Sequence, residues 1–278
     1  MPTQIPSTPG LRVDEDAHAV VLRIHNPDRA NAVDDDILAA IVRRVAHPRP
    51  EVRAIVLTGS GDRHFSAGLD LGDLEGPALA DRLRGGERLL GEATAAIAAC
   101  PCPVLAAING AAFGGALELA VACDWRIASD GARLGMPAAR LGVVYSPQGL
   151  ARFVALLGPA RTRQLFLTGR PVTAQRAMQI GLVDQVVPAG ELSSCAREAV
   201  EDIIGAAPIA VAGTRAAITM LEGAPSAEIA QAIEHLRDAA YGSPQFHEGL
   251  AAFRERRAAR WESSLRATPE GSPTEESG

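Results

Sequence analysis

Ile108-Asn109-Gly110-Ala111-Ala112-Phe113-Gly114-Gly115-Ala116-Leu117-Glu118 is the stretch from which the rest of the chain can be read. It follows an apolar run, Pro103 to Ile108, with the length and composition of a buried strand. Two adjacent glycines then lead into an apolar segment with helical character that runs through Cys123. Glu118 is the only charge between Ala93 and Asp124. A strand, a glycine turn and a helix start leave backbone N–H groups free to hold a negative oxygen. A carboxylate one turn further in stands where it can move a proton beside that oxygen. The pattern predicts a site that stabilises an oxyanion and performs acid/base chemistry.

Composition narrows what such a site can do. With 278 residues, 47% of them hydrophobic, the chain can bury one sizeable core and carry a helical appendage. Net charge is −6 with no basic block, so nucleic acid is not an expected partner. All 27 basic residues are arginine. Without lysine there is no Schiff base and no phosphate loop of the G-K-[ST] type. Cys100, Cys102, Cys123 and Cys195 lack redox or zinc spacing and are expected as small core residues, so no metal is expected. No signal peptide or spanning segment is recognisable, and Thr94 to Leu117, the longest uncharged stretch, is interrupted by prolines and glycine pairs. A cytoplasmic setting and no membrane partner are the expectation.

Working outward, strands are expected at Ala17–His25, Glu51–Thr58, Val104–Ile108, Asp124–Ala128 and Leu182–Val187. Helices are expected from Asp34 to about Ala46, over Pro77–Ala99, and from Gly115. Beyond Pro147, helix dominates: Gln148–Leu157, Ala160–Leu167, Thr173–Gln179, Ser193–Gly205, Ile209–Leu221, Ala227–Tyr241 and Pro244–Arg260. Alternating strands and helices predict an α/β fold with parallel pairing, its chemistry at the strand ends after Thr58 and Ile108. Residues 1–11 read as an irregular arm, 12–205 as the α/β core, 206–261 as a helical region and 262–278 as a disordered tail. Gly59-Ser60-Gly61 after a strand invites a dinucleotide reading. His64 stands where the third glycine belongs, and a plain loop is the better account. Ser66 also lacks the glycine two residues earlier that a nucleophile elbow needs.

Phe65-Ser66-Ala67-Gly68-Leu69-Asp70-Leu71, followed about forty residues on by Ile108 to Asp124, resembles the crotonase superfamily, the enoyl-CoA hydratase/isomerase family. Arg29 to Val33, Leu167 to Arg170, Ala174 to Ala177, Gly181 to Asp184 and Ala252 to Arg257 extend the resemblance, in order, over roughly Leu11 to Trp261. It implies a spiral of β-β-α units with a C-terminal helical region, assembled as homotrimers or hexamers. It also implies an acyl-CoA substrate, with coenzyme A part of that substrate and no separate cofactor. Carried onto this chain, the N–H groups of Leu69 and Gly115 form the oxyanion hole for a thioester enolate, and Glu118 is a catalytic carboxylate. Ala67, Asp70, Leu71 and Gly114, with Phe253 and Arg257 of the last helix, are the implied coenzyme contacts. Pocket walls are expected from Leu74 to Leu90.

The chain departs from the family at one point. Where its hydratases carry Pro-Glu, this chain has Pro137-Ala138, so the second carboxylate is missing and two-carboxylate hydration is not expected. Downstream, Leu141-Gly142-Val143-Val144-Tyr145 is similar to the methylmalonyl-CoA decarboxylase branch, which makes Tyr145 a candidate catalytic residue. Leu69 stands where that branch has a polar residue. Isomerase or lyase chemistry through an enolate is the expectation, with a methylmalonyl-CoA decarboxylase-like lyase and a non-catalytic acyl-CoA-binding protein as alternatives. Asp124 is expected to be structural.

Overall fold

The computed structural model describes residues 10–72, 76–222 and 226–261. In chain order the elements are β1 (Leu11–Glu15), β2 (Ala19–Ile24), α1 (Asp35–Ala46), β3 (Ala54–Gly59), β4 (His64–Ser66), α2 (Gly76–Ala98), β5 (Val104–Ile108), β6 (Ala111–Phe113), α3 (Gly115–Ala122), β7 (Trp125–Ser129) and β8 (Arg133–Gly135). There follow α4 (Pro147–Thr168), β9 (Val172–Thr173), α5 (Ala174–Ile180), β10 (Gln185–Val187), α6 (Leu192–Ile204), α7 (Pro208–Leu221), α8 (Ala227–Tyr241) and α9 (Pro244–Glu255).

Six strands form one sheet in the order β1-β2-β3-β5-β7-β10, parallel throughout except for the β1–β2 pair. Every residue of β3 and β5 is buried, as their continuous apolar runs require of strands covered on both faces. Four short strands form a second sheet, β4-β6-β8-β9. The chain therefore leaves each long strand for a short one and returns through a helix: β3-β4-α2, then β5-β6-α3. This is the expected spiral of β-β-α units.

Helix ends follow the sequence. Asp34 caps α1 by accepting the Ile37 N–H at 2.8 Å, with Asp35 and Asp36 in the first turn where the helix dipole favours acids. Ser146 caps α4 by accepting the Gly149 N–H at 3.1 Å, and Pro147 occupies the first turn. The two helices expected between Gln148 and Leu167 are one element broken at Gly158, whose φ of 72° interrupts the helical backbone.

Three expectations need correction. Strand β10 begins only at Gln185, because Gly181 ends α5 in a left-handed turn that occupies the residues before it. Helix α9 stops at Glu255, where Arg256 takes a φ of 53° and closes the last turn, rather than running to Arg260. Strand β1 begins at Leu11, inside the expected arm, where it pairs antiparallel with β2 through alternating buried and exposed residues. The rest of that arm, residues 1–9, and the expected tail, 262–278, lie outside the described residues.

The chain divides into two compact units, one through Ile204 and one from Gly205. The first holds both sheets and α1–α6; the second holds α7–α9. Within the second unit Tyr241 and Phe246 stack edge to face at 5.3 Å, and the Trp261 indole donates to the Gly205 carbonyl at 2.7 Å.

Candidate active site

The site is built by two loops that end the short strands of the second sheet. After β4 the chain turns through Ala67-Gly68-Leu69, fixed against Ala30–Val33. Ala67 N–H donates to Ala30 at 3.0 Å, Asp70 N–H donates to Val33 at 2.8 Å, and the Gly68 carbonyl accepts from Val33 N–H at 2.8 Å. After β6, Gly114 N–H donates to the Gly135 carbonyl at 3.0 Å, and α3 begins at Gly115. Gly68 N–H is taken by the Ser66 hydroxyl at 3.2 Å. On these two turns the N–H groups of Leu69 and Gly115 have no acceptor among the described residues.

The turns lie against each other. Gly68 has a φ of +104°, and a methyl group there would stand 2.8 Å from the Phe113 carbonyl oxygen and 3.4 Å from the Gly115 nitrogen. Only glycine takes this conformation at this approach without strain. A methyl group on Gly115 would meet Leu69 Cγ at 3.3 Å and Leu90 Cδ2 at 2.9 Å, so α2 covers the same spot. Two neighbouring amides with no internal partner are free to donate to an oxygen brought by a bound molecule.

Glu118 follows one turn into α3 and is 2% exposed. Its Oε2 accepts a hydrogen bond from the Tyr145 hydroxyl at 2.7 Å. Tyr145 is held edge-on by Phe166 at 5.4 Å, and Phe166 in turn packs on the fully buried Phe153. Gly149 makes the pairing possible: a methyl group there would lie 2.5 Å from the Tyr145 ring and 3.0 Å from Glu118 Oε2. Burial raises the Glu118 carboxyl above its ordinary value; the Tyr145 hydrogen bond and the Arg152 charge oppose this, and the Glu87 charge adds to it. Burial, then the Glu118 charge and hydrogen bond, push the Tyr145 phenol well above its ordinary value, so it stays a neutral donor. An acid poised to exchange its proton nearer neutrality is what proton transfer requires.

Glu87 and Arg152 are the two residues that sequence reading missed. Each looks like the polar side of an amphipathic helix, Glu87 among Arg84 and Arg88 on α2 and Arg152 near the start of α4. Arg152 Nε is buried with no hydrogen-bond partner among the described residues. Ala138 presents a buried methyl group, 8% exposed, in the turn before α4.

The other expected residues are placed as follows. Asp70 pairs with Arg29 at 3.1 Å and accepts the Gly72 N–H at 2.8 Å; Leu71 follows it, half-buried, and Ala67 is exposed. Gly114 caps α3. Phe253, 84% exposed, and Arg257 belong to the second unit. Arg257 is held by Glu248 and Glu255, each at 2.6 Å, and its hydrogen bonds pull the Glu248 carboxyl down to about 2. Of the Leu74–Leu90 wall, residues 74 and 75 lie outside the described residues. Asp124 accepts the Val104 N–H at 2.6 Å, tying the end of α3 to β5. The Gly59–His64 segment is a plain loop, with Asn31 donating to the Ser60 and His64 carbonyls and Asn109 to those of Gly61 and His64. Among the described residues no group of three or more His, Cys, Asp or Glu is placed to hold a metal ion.

Comparison with known proteins agrees with this geometry. The family model described as enoyl-CoA hydratase/isomerase matches residues 14–264. A carnitinyl-CoA dehydratase of Salmonella typhi is 35% identical over 241 residues, covering 84% of this chain and 91% of that protein. The crystal structure of an enoyl-CoA hydratase from Bacillus anthracis superimposes with a TM-score of 0.85 at 30% identity, over 92% of this chain and 100% of that one. Pseudomonas aeruginosa DspI gives 0.84 at 31% identity, over 94% and 99%. With the spiral fold, the paired open amides and this match over almost its whole length, the chain belongs to the enoyl-CoA hydratase/isomerase family of the crotonase superfamily.

Proposed function

We propose that this protein converts an acyl-CoA thioester through an enolate, with the Leu69 and Gly115 N–H groups holding the thioester oxygen and Glu118 moving the proton. The observation that carries this reading is the Glu118–Tyr145 hydrogen bond at 2.7 Å beside two open amides, with a methyl group at Ala138. Adding water across a double bond needs one group to activate the water and another to protonate carbon. Losing one such group costs roughly 10²–10⁴-fold. Moving a double bond needs no water, so isomerisation comes first. Tyr145 donates to Oε2 of Glu118, which leaves Oε1 as the oxygen that carries and transfers the proton. A buried, hydrogen-bonded Glu118 favours this over passive acyl-CoA binding, the reading that alanine at 138 would suit.

A decarboxylating lyase is the second reading, favoured by Tyr145 itself. Loss of carbon dioxide from a malonyl-type thioester leaves the same enolate, and Glu118 would protonate it. It ranks below isomerisation because the Tyr145 hydroxyl is already given to Glu118 and Leu69 offers no polar side chain. The family resemblance further supports a homotrimer or hexamer, which light scattering after gel filtration tests directly.

A panel of 2-enoyl-, 3-enoyl- and malonyl-type CoA esters, incubated with the protein and with Glu118→Gln, separates these readings. Conversion of 3-enoyl to 2-enoyl esters, lost in the variant, is the expected result. Product only from the malonyl type would establish the lyase. Tight binding with no product from any ester would defeat both.

A further inference from the structure

Helix α2 lies over the oxyanion hole on one face. Leu90 reaches Gly115, with Cδ2 2.9 Å from where a methyl group would stand, and a methyl group on Gly86 would lie 3.4 Å from the Leu69 side chain. Residues 86 and 90 are one helical turn apart, and position 87, three before Leu90, falls at the edge of the same strip. Glu87 is half-buried there. Other charges of this helix are paired along its outer side, Asp81 with Arg84 and Arg88 with Glu92. Glu87 makes no hydrogen bond or ion pair with any described residue. Its charge is felt instead inside the site, raising the proton affinity of both Glu118 and Tyr145. Tyr145 hydrogen-bonds Glu118 directly, while the Arg152 charge on α4 and the Glu87 charge on α2 act on it in opposite directions.

Resting on the enolate reading above, we propose that Glu87 is the second acid/base carboxylate of this site, delivered from α2 across the oxyanion hole in place of the group missing at Ala138. In a 3-enoyl thioester, Glu87 takes the proton from the α-carbon. The C–H electron pair moves onto the thioester oxygen held by the Leu69 and Gly115 amides, giving a dienolate. Glu118 then gives its proton to the γ-carbon as the double bond shifts to the α,β position. One proton leaves carbon and one arrives, no water is consumed, and the two carboxyl groups reset through solvent.

The test measures two reactions: α-hydrogen exchange of hexanoyl-CoA in D₂O, followed by NMR, and conversion of 3-hexenoyl-CoA to 2-hexenoyl-CoA. Glu87→Gln, which keeps the side chain's shape, is expected to lower both by about 100-fold or more. Glu118→Gln is expected to lower conversion by as much while exchange falls far less. Glu87→Asp, keeping the carboxylate, is expected to recover part of both rates, and Glu92→Gln on the outer face is the unchanged control. Titration of ¹³C-labelled glutamate carboxyls adds a readout independent of turnover: the Glu118 midpoint falls when Glu87 is neutralised. Exchange and conversion at the original rates in Glu87→Gln would overturn this assignment and leave the enolate reading standing. A protein that exchanges no α-hydrogen at all would overturn both.

Discussion

Two buried charges in the first unit are treated in opposite ways. Arg126, 3% exposed, spends most of its donors on protein: its Nη2 meets Asp184 at 2.8 Å, its Nη1 donates to the Cys123 carbonyl at 3.0 Å, and its backbone N–H meets the same Asp184 oxygen, while its Nε is buried with no hydrogen-bond partner among the described residues. Glu118, equally buried, has one side-chain donor, Tyr145, and keeps a carboxyl oxygen free beside two open amides. The first arrangement fixes the join between β7 and the turn before β10. The second keeps hydrogen-bonding capacity unspent, which destabilises a folded protein unless a substrate uses it. What separates the structural buried charge from the chemical one is the counter-charge: Arg126 has Asp184, and Glu118 has no ion pair among the described residues.

The contrast can be broken most sharply at Glu118. Glu118→Gln is expected to reduce turnover by about 10⁴-fold, at the upper end for loss of a general acid/base. It should also raise thermal stability at neutral pH. A carboxyl raised above its unfolded value contributes stability that is present below that value and is lost as pH rises through the folded one. The amide escapes that loss, and calorimetry at pH 5 and pH 8 should show the variant's advantage only at the higher pH. Next, Gly68→Ala forces an alanine to φ +104° against the Phe113 carbonyl and displaces the Leu69 amide. A loss of roughly 10²–10³-fold in kcat, with KM moving less, is expected from kinetics of the purified variant.

A smaller effect is expected at Tyr145→Phe. Removing its hydrogen bond, which lowers the Glu118 carboxyl, lets that carboxyl rise further, so the alkaline limb of the pH–rate profile should move to higher pH. A fall in rate of about tenfold should accompany it, as Oε1 is no longer singled out. The smallest effect on turnover belongs to the Arg126 cluster. Asp184→Ala leaves Arg126 buried without its carboxylate and should cost about 2 kcal/mol in urea unfolding, less than a fully buried pair because Asp184 is 44% exposed. Its kcat should stay within about twofold, the usual result for a site far from chemistry. A large loss of rate in Asp184→Ala would erase the distinction drawn between the two clusters.

Much of this was legible from local sequence. The long strands announce themselves by apolar runs, and α3 by its glycine pair, because those signals lie within one element. Strands β4, β6 and β8, three residues each, are too short to show a period, and β9 has only two. Glu118 and the two glycine turns could be read because each motif is contiguous. The bond between Glu118 and Tyr145 could not, since 27 residues separate them and Gly149, Phe153 and Phe166 determine that they meet. Glu87 was hidden for a different reason. On a helix that also carries Arg84, Arg88 and Glu92, one more acid looks like solvent-facing charge until the facing residues are known.

The loop from Gly59 to His64 carries a further consequence. Two asparagine amides, Asn31 and Asn109, both donate to the His64 carbonyl, and Asn109 also accepts the Gly59 N–H at 3.0 Å. The segment feeding the Leu69 turn, the first donor of the proposed oxyanion hole, is thus ordered before any thioester arrives. Its conformational entropy is surrendered once, when the chain folds, and not again in each catalytic cycle. Catalysis by such a site should have a temperature dependence carried chiefly by activation enthalpy, with little unfavourable entropy from assembling the amides.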